Sequence, residues 1–401
     1  MTFIFVYDII SKGDNMKALK RLIIFLIVVA LALAFLKYAI PVVFPKVESV
    51  SEETVTLNKT DESLFTLNRE RLSDDELLLY ESLLSRIASF ETEFKLDTKD
   101  SKQAMKVYDA VIADHPEYYW LSYVSISAYQ KGSSIIISPY ISEDMDSVKA
   151  NYAKLKALSD ELLSETESMS NYEKALYFHN YLIDNTSYDS SSAYDVTAGG
   201  GVLERGQYMP SVNAYGALCL NKAICSGYAC AYQMLLNMSG IPCSRVKGTG
   251  FENSGAVGHE WNILCLDGEW YYTDVTWDDP VADDGSEGHE YDYFCINDAE
   301  LNKTHSINEG ELIKPCSATG YNYFVYNGLY FESYSFESVR PVIENGISGG
   351  AVRLKFSSKE EADKALSDLI DNYKLWEIDG VSESVSYGVD STGERLAIFF
   401  K

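Results

Sequence analysis

Along the first half of this chain, apolar positions recur every three or four residues. Between Ser73 and Phe94, Leu77, Tyr80, Leu84 and Ile87 share one helical face, and Ser73 with Glu76 forms a capping box. Lys102 to Ala113 repeats the pattern, and Pro116 ends it. "YVSISAY" and "SSIIISPY" on either side of Lys131-Gly132 predict a hairpin, and Asp146 to Leu163 predicts another helix. Ser170 and Glu173 form a second capping box, for a helix carrying Ala175, Leu176, His179, Tyr181 and Leu182. A loop rich in Ser, Tyr and Gly comes next, from Asn185 to Gly201. "KAICSGYACAYQMLLNMSGIPC" then gives one apolar helix, closed by Gly240 and Pro242.

From Arg245 the pattern becomes that of strands. "HEWNILCL" and "EWYYTDVTW" flank Asp267-Gly268, a two-residue hairpin turn. Asn327-Gly328 in "YFVYNGLYF" predicts a second hairpin. "AVRLKF", a capped helix from Ser358 to Tyr373 and "RLAIFF" complete a small α/β region.

The longest apolar run stands apart from all of these. Leu22 to Leu36 has no polar side chain, and after Lys37 the apolar character continues to Phe44. At about 1.5 Å per residue the first run is shorter than a hydrocarbon core of about 30 Å; with Lys37 snorkelling, residues 22–44 can span it. Lys17, Lys20 and Arg21 precede the run, while Glu48, Glu52 and Glu53 come after it. The positive-inside rule puts residues 1–21 in the cytoplasm and the rest outside the cell membrane. A cleaved signal peptide is the rival. Its A-x-A sites at Ala30–Ala32 and Ala32–Ala34 lie inside the apolar run, which favours an uncleaved anchor. Met16 offers an alternative start that would remove residues 1–15. The expected division is therefore a basic N-terminus (1–21), an anchor (22–44), a linker (45–72), a mainly helical region (73–170), a catalytic core (171–316) and a small α/β region (317–401).

Composition narrows the function. Sixty acids against 33 bases give a formal charge of −27, a field that repels phosphate backbones and argues against nucleic-acid binding. All seven cysteines lie between Cys219 and Cys316. Either one is a free thiol beside up to three disulfides, or most are small buried residues. No C-x-x-C pair exists, so no structural zinc site is expected.

The apolar helix holds three of these cysteines. Gly227 is poor in a helix interior, so the helix is expected to start near Cys225. A thiol at a helix start feels the positive end of the macrodipole, which favours the thiolate. Cys230 and Cys243 lack that position and read as packing residues. A nucleophilic thiolate also needs a base and a group to orient it. If Asp267-Gly268 is the turn, Trp261 faces Asp274 and His259 faces Thr276. His259 and Asp274 are then diagonal neighbours on one face, about 7–8 Å apart along the backbone, together with Ile263, Cys265 and Trp270. That face is expected to look toward the helix of Cys225.

"AICSGYACAYQMLLNMSGIPC", "GHEWNILCLDGEWYYTDVTWDDP" and "YFCIND" resemble the transglutaminase-like superfamily in its bacterial exported branch. "EKALYFHNYLIDNTSYD" resembles the helix before its core. The resemblance covers about Glu173 to Asp298. It implies an α+β fold with a papain-like core, in which a Cys-bearing helix packs on an antiparallel sheet. It also implies acyl transfer: Cys225 attacks a carboxamide or peptide carbonyl to form a thioester, His259 carries the proton and Asp274 holds the tautomer. The Cys225 N–H is one oxyanion donor in that geometry, and Tyr215 is the candidate for a second. An amine acceptor gives crosslinking and water gives hydrolysis.

The remaining motifs add little. "DDPVADDGSEGHEYD" is acidic but fails the EF-hand spacing, so neither a metal nor a cofactor is expected. "GTGFENSG" reads as a mobile flap or a plain connection, and His179 and His289 have no evident partners. The absence of G-x-S-x-G and H-E-x-x-H counts against serine hydrolases and zinc proteases. The expectation is an anchored, outward-facing cysteine acyl-transferase or amidase acting on proteins or peptides of the cell envelope. The alternatives are an inactive envelope scaffold on the same fold and a cysteine peptidase.

Overall fold

The computed structural model describes residues 67–121, 126–193, 210–252, 255–279, 289–311, 313–382, 384–390 and 392–400. The apolar run 22–44, the basic segment before it and linker residues 45–66 lie outside these. No described helix is long and apolar enough to cross a membrane.

Helix α1 (Asp74–Ala88) begins at its capping box: the Ser73 hydroxyl accepts from the Glu76 amide, and the Glu76 carboxylate accepts from the Ser73 amide at 2.9 Å. It stops short of Phe94 because Phe90 takes a left-handed φ of 58°. The chain then extends as β1 (Phe94–Leu96) before α2 (Ser101–Asp114). The first predicted hairpin forms as β2 (Ile126–Lys131) and β3 (Ser134–Pro139). Strand β1 pairs with β3, so the region expected to be mainly helical carries a three-stranded antiparallel sheet.

Helix α3 (Met145–Glu165) is capped by Asp144. Helix α4 (Asn171–Asn185) starts at the second capping box, Ser170 with Glu173. The short parallel strands β4 (Ser187–Tyr188) and β5 (Lys222–Ala223) enclose α5 (Ala214–Cys219) in sequence. Helix α6 (Cys225–Met238) leads into a sheet made of β6 (Cys243–Glu252), β7 (Gly255–Leu266) and β8 (Glu269–Thr273). After α7 (Asp298–Leu301), β9 (His305–Ile307) completes it. The sheet is antiparallel throughout, in the order β8-β7-β6-β9. Asp267 and Gly268 have φ values of 51° and 91°, the signature of a type I′ turn, and the register results from it: Asn262 faces Thr273 and Cys265 faces Trp270.

The two faces of this sheet are covered differently. Leu264, Leu266 and Tyr271 point into one apolar cluster that also holds α1 to α6, so the helices before residue 170 share one core with the cysteine-bearing helix and its sheet. Trp261, Ile263 and Tyr272 point the other way, into Val246, Ile296, Leu301 and Cys316. The body of α6 therefore packs on the face opposite to that of His259; Asn262 donates to the Ala229 carbonyl of α6 at 3.0 Å. Alternation along β7 separates the two faces correctly but does not say which one a helix covers.

A further region carries α8 (Tyr323–Tyr326), β10 (Tyr330–Phe331), α9 (Phe336–Gly346), β11 (Ala351–Phe356), α10 (Lys359–Leu366), β12 (Val385–Val389) and β13 (Arg395–Phe400). Its sheet order is β10-β11-β13-β12, with a separate core around Val339, Leu354, Phe356, Leu369 and Ile398. The hairpin expected at Asn327-Gly328 is absent. Asn322 caps α8, Gly328 at φ 68° ends it, and the Leu329 amide returns to the Phe324 carbonyl at 2.7 Å. Asn-Gly serves equally well at a helix C-terminus, and here β10 pairs in parallel with β11. The helix expected over Ser358–Tyr373 stays α-helical to Leu366 and widens into a π turn at Ser367–Asp371. Ion pairs tie this region to the core: Lys303–Glu394 at 2.6 Å, Arg395–Asp292 at 2.9 Å and Lys355–Glu300.

Candidate active site

Cys225 is the first residue of α6, where the sequence placed it, and is partly exposed. The residue before it, Ile224, has no side chain able to accept a hydrogen bond, so the first turn of α6 has no side-chain cap. The first amides of a helix lack intrahelical partners and carry the positive end of its dipole. Cys225, as the first residue of α6, sits at that end. None of the seven cysteines is in a disulfide. Burial pushes the Cys230 thiol up to about 11 and the Cys243 and Cys295 thiols higher still, which suits packing residues.

His259 lies on β7, 8 % exposed. Its Nε2 donates to Asp274 Oδ2 at 2.5 Å, and Cys225 lies within electrostatic reach of the same ring. Because Nε2 is engaged by the carboxylate, Nδ1 is the nitrogen left for the sulfur. Asp274 sits just past the end of β8. Its amide donates to the Tyr293 carbonyl, and its Oδ1 accepts from the Thr276 and Trp277 amides at 3.1 and 3.2 Å. The chain turns there, so pairing of β7 with β8 ends at Asn262–Thr273 and Thr276 does not face His259 as expected from the hairpin parity; on its other edge His259 pairs with Gly248 of β6.

Burial opposes charge on both partners, and both overcome it. The Asp274 carboxylate, together with the contact to Cys225, holds the His259 imidazolium well above its ordinary range despite the desolvation. Asp274 is fully buried, yet His259 and His305 hold its carboxyl below the usual carboxylate range. Cys225, His259 and Asp274 thus lie together in the order of nucleophile, base and orienter, with a hydrogen bond joining the last two.

Two indoles shield the pair from water. Trp261 stacks on His259 with centroids 5.9 Å apart, and Trp277 lies 5.2 Å from the same ring. Both need space above β6. A Cβ at Gly248 would meet Trp261 at 2.5 Å, and one at Gly250 would meet Trp277 at 2.6 Å. The stretch "GTG", read from sequence as flap or connection, is strand backbone kept bare for these rings.

Sequence reasoning did not single out His305. It lies in "NKTHSI", which carries no strong periodicity, and pairing of β9 with β6 brings its Nε2 to 3.2 Å from Asp274 Oδ2. The ligating atoms of His259, Asp274 and His305 lie within 4.8 Å of one another, close enough in principle to bridge a cation. Hydrogen bonds within the trio already account for these atoms.

Tyr215, nominated as an oxyanion donor, is turned elsewhere. Its hydroxyl donates to Asn151 Oδ1 of α3 at 2.9 Å, and its ring stacks on Tyr119 at 4.8 Å. The proton an oxyanion would need is engaged by the carboxamide. His179 and His289, for which the sequence showed no partner, pair with Asp278 at 3.1 Å and Asp184 at 2.7 Å. Within the acidic stretch from 278 to 292, the described carboxylates face protein groups: Asp278 meets His179, Asp279 meets Tyr228, and Asp292 meets Arg395.

Residues 156–275 match the family model of the transglutaminase-like superfamily, a segment that includes Cys225, His259 and Asp274. Kyphoscoliosis peptidase from Homo sapiens is 25 % identical over 146 residues, which cover 34 % of this chain and 20 % of that protein. Its counterpart from Mus musculus is 26 % identical over 137 residues, covering 32 % of this chain and 19 % of that one. The chain thus matches only about a fifth of the length of these curated relatives. A crystal structure described as that of a TGase overlaps 46 % of this chain and 50 % of its own, at 19 % identity and a TM-score of 0.27.

Proposed function

We propose that the transglutaminase-like core over residues 156–275 is a cysteine acyl-transfer site acting on protein or peptide carbonyls. The observation that carries this reading is His259, hydrogen-bonded to the buried Asp274 and within electrostatic reach of Cys225, the residue that starts an uncapped helix. Cys225 attacks the carbonyl carbon and forms a thioester. His259 Nδ1, the nitrogen that Asp274 leaves free, takes the thiol proton and carries it to the leaving amine. Asp274 keeps the opposite nitrogen protonated and stabilises the imidazolium. The Cys225 amide, free of a side-chain cap, is a donor for the oxyanion. Deacylation by an amine gives crosslinking and by water gives hydrolysis. Hydrolysis is the second reading, favoured by the peptidase name of the relatives from human and mouse.

The setting proposed for this chemistry is the outer face of a cell membrane, with residues 22–44 as the anchor and proteins or peptides of the envelope as substrates. Support comes from the apolar run and from the basic residues before it and acidic residues after it.

The test incubates the protein with glutamine-bearing peptides and a fluorescent primary amine, then tracks ammonia, amine incorporation and new peptide N-termini in parallel. Any of the three signals in the native chain, lost in both Cys225→Ser and His259→Ala, supports acyl transfer and tells the acceptor. Absence of all three, together with failure of iodoacetamide to label Cys225 in preference to the six other thiols, leaves a fold kept for binding.

A further inference from the structure

Asp274 carries its charge in a fully buried place, with no Lys or Arg among the groups that hydrogen-bond it. Four donors surround it instead. Two amides, of Thr276 and Trp277, serve Oδ1; both imidazoles, of His259 and His305, converge on Oδ2. We propose that His305 is a positioning residue: it donates a second hydrogen bond to the carboxylate oxygen that serves His259 and so limits how strongly Asp274 holds the proton of the base. This deepens the reading of Cys225 as a nucleophile and rests on it.

The local geometry fixes what His305 can donate. Its Nδ1 lies 2.9 Å from the Thr304 hydroxyl, which can donate to it, and the Nε2–H then points at Asp274. The ring is 2 % exposed and cannot turn away. Trp277 packs against it at 4.3 Å, Trp261 meets it edge-on at 4.8 Å, and Tyr293 does so at 5.4 Å. Thr304, His305, Asp274 and His259 therefore form one hydrogen-bonded line that runs from β9 to the ring beside Cys225.

Sharing one oxygen between two donors has a definite consequence. A carboxylate that serves a single imidazole in a dry pocket gives it all its negative charge, and that imidazole keeps its proton tightly. A general acid must release the proton to the leaving group, so a base held too strongly is slow in that step. The second donor weakens the hold. The other titratable groups facing the trio are Cys225 from α6, Asp278 past the Asp274 turn, Tyr293 before α7 and His179 from α4. None of these donates to Asp274 Oδ2.

The test uses the full chain labelled with ¹⁵N-histidine. The His259 signal is assigned by its loss in His259→Gln and titrated in the native protein, in His305→Phe, which has no donor, and in His305→Gln, which keeps one. Iodoacetamide labelling of Cys225 is measured across the same pH range. The expected result is an upward shift of the His259 midpoint by ~0.5 pH unit or more in His305→Phe, with Gln within ~0.2 unit of native. The pH profile of Cys225 labelling should move with it. Should His305→Phe fail to fold, Thr304→Val, which frees Nδ1 and loosens the tautomer, must shift the midpoint in the same direction. A folded donor-less variant with the native midpoint and profile overturns the role of His305. Labelling of Cys225 that is insensitive to His259→Gln in an otherwise native chain overturns the nucleophile reading as well.

Discussion

Trp277 lies directly over Gly250, so closely that a single methyl group there would meet its indole at 2.6 Å. The same indole packs against both imidazoles that serve Asp274. A bare position on β6 thus governs an aromatic lid over the buried carboxylate. Gly250→Ala should displace the ring, lower stability by about 1–3 kcal/mol through overpacking, and slow Cys225 labelling more than that loss explains. Thermal unfolding, tryptophan fluorescence and labelling of the same sample check all three; an unchanged labelling rate would mean the lid is dispensable.

Asp274→Asn removes the charge while leaving an oxygen for the Thr276 and Trp277 amides. The imidazolium of His259 owes its raised position to that charge. It should fall back toward the ordinary histidine range, and acyl transfer should drop on the order of 10³–10⁴-fold with little change in stability. In the native chain the protonated imidazole persists below the raised value and is lost as pH rises through it, so the His259 imidazolium should extend above pH ~6.5. Histidine NMR titration of both proteins measures the change.

Arg245 is held by Glu260 at 3.1 Å, by Gln233 at 3.0 Å and by the Cys230 sulfur at 3.2 Å, with only 8 % of its side chain exposed. Arg245→Met strands the Glu260 carboxylate in the core and should cost about 3–5 kcal/mol. Adding Glu260→Gln should recover most of that loss. Urea denaturation of the single and double variants gives the coupling directly.

His179 and Asp278 are fully buried together, and burial drives both to their neutral forms. The histidine is pulled down to about 4 and the aspartic acid is pushed well up, with the charge on Asp274 adding to the latter. The unfolded histidine binds its proton near pH ~6.5, before the folded one does. Its contribution is therefore present above pH ~6.5 and lost as pH falls toward 4, up to about 3 kcal/mol. The raised Asp278 contributes with the opposite sign over the same range, so the histidine part is read as a difference: the stability gap between the native chain and His179→Gln should move against the native chain between denaturation at pH ~7 and at pH ~4.5.

The elements closest to the site were the most legible, because each rests on a short-range rule. Ser73 and Ser170 announce helix starts through a partner three residues away, and Asp267-Gly268 fixes the pairing of β7 with β8 without reference to the rest of the chain. The order Cys225, His259, Asp274 could be read from those pieces. What failed needed distant partners. His305 reaches Asp274 only because β9 adds to the edge of β6, and the 99 residues between His179 and Asp278 leave no periodic trace. Gly248 and Gly250 look like loop residues until the indoles above them are in place. Asn327-Gly328 suits two kinds of chain reversal, and only Asn322, by capping α8, decides between them.

Ile224 gives the start of α6 a character of its own. A serine or aspartate there would gain about 1 kcal/mol as a cap, set against the lost burial of an isoleucine only 5 % exposed, and would also occupy the amides beside Cys225. The chain forgoes that gain at a helix whose first turn adjoins a partly exposed thiol, while α1, α2, α3 and α4 all begin with side-chain caps. A substitution that caps α6 at residue 224 should therefore be one that silences the thiol, so that what suits a helix start and what suits a reactive sulfur pull this position in opposite directions.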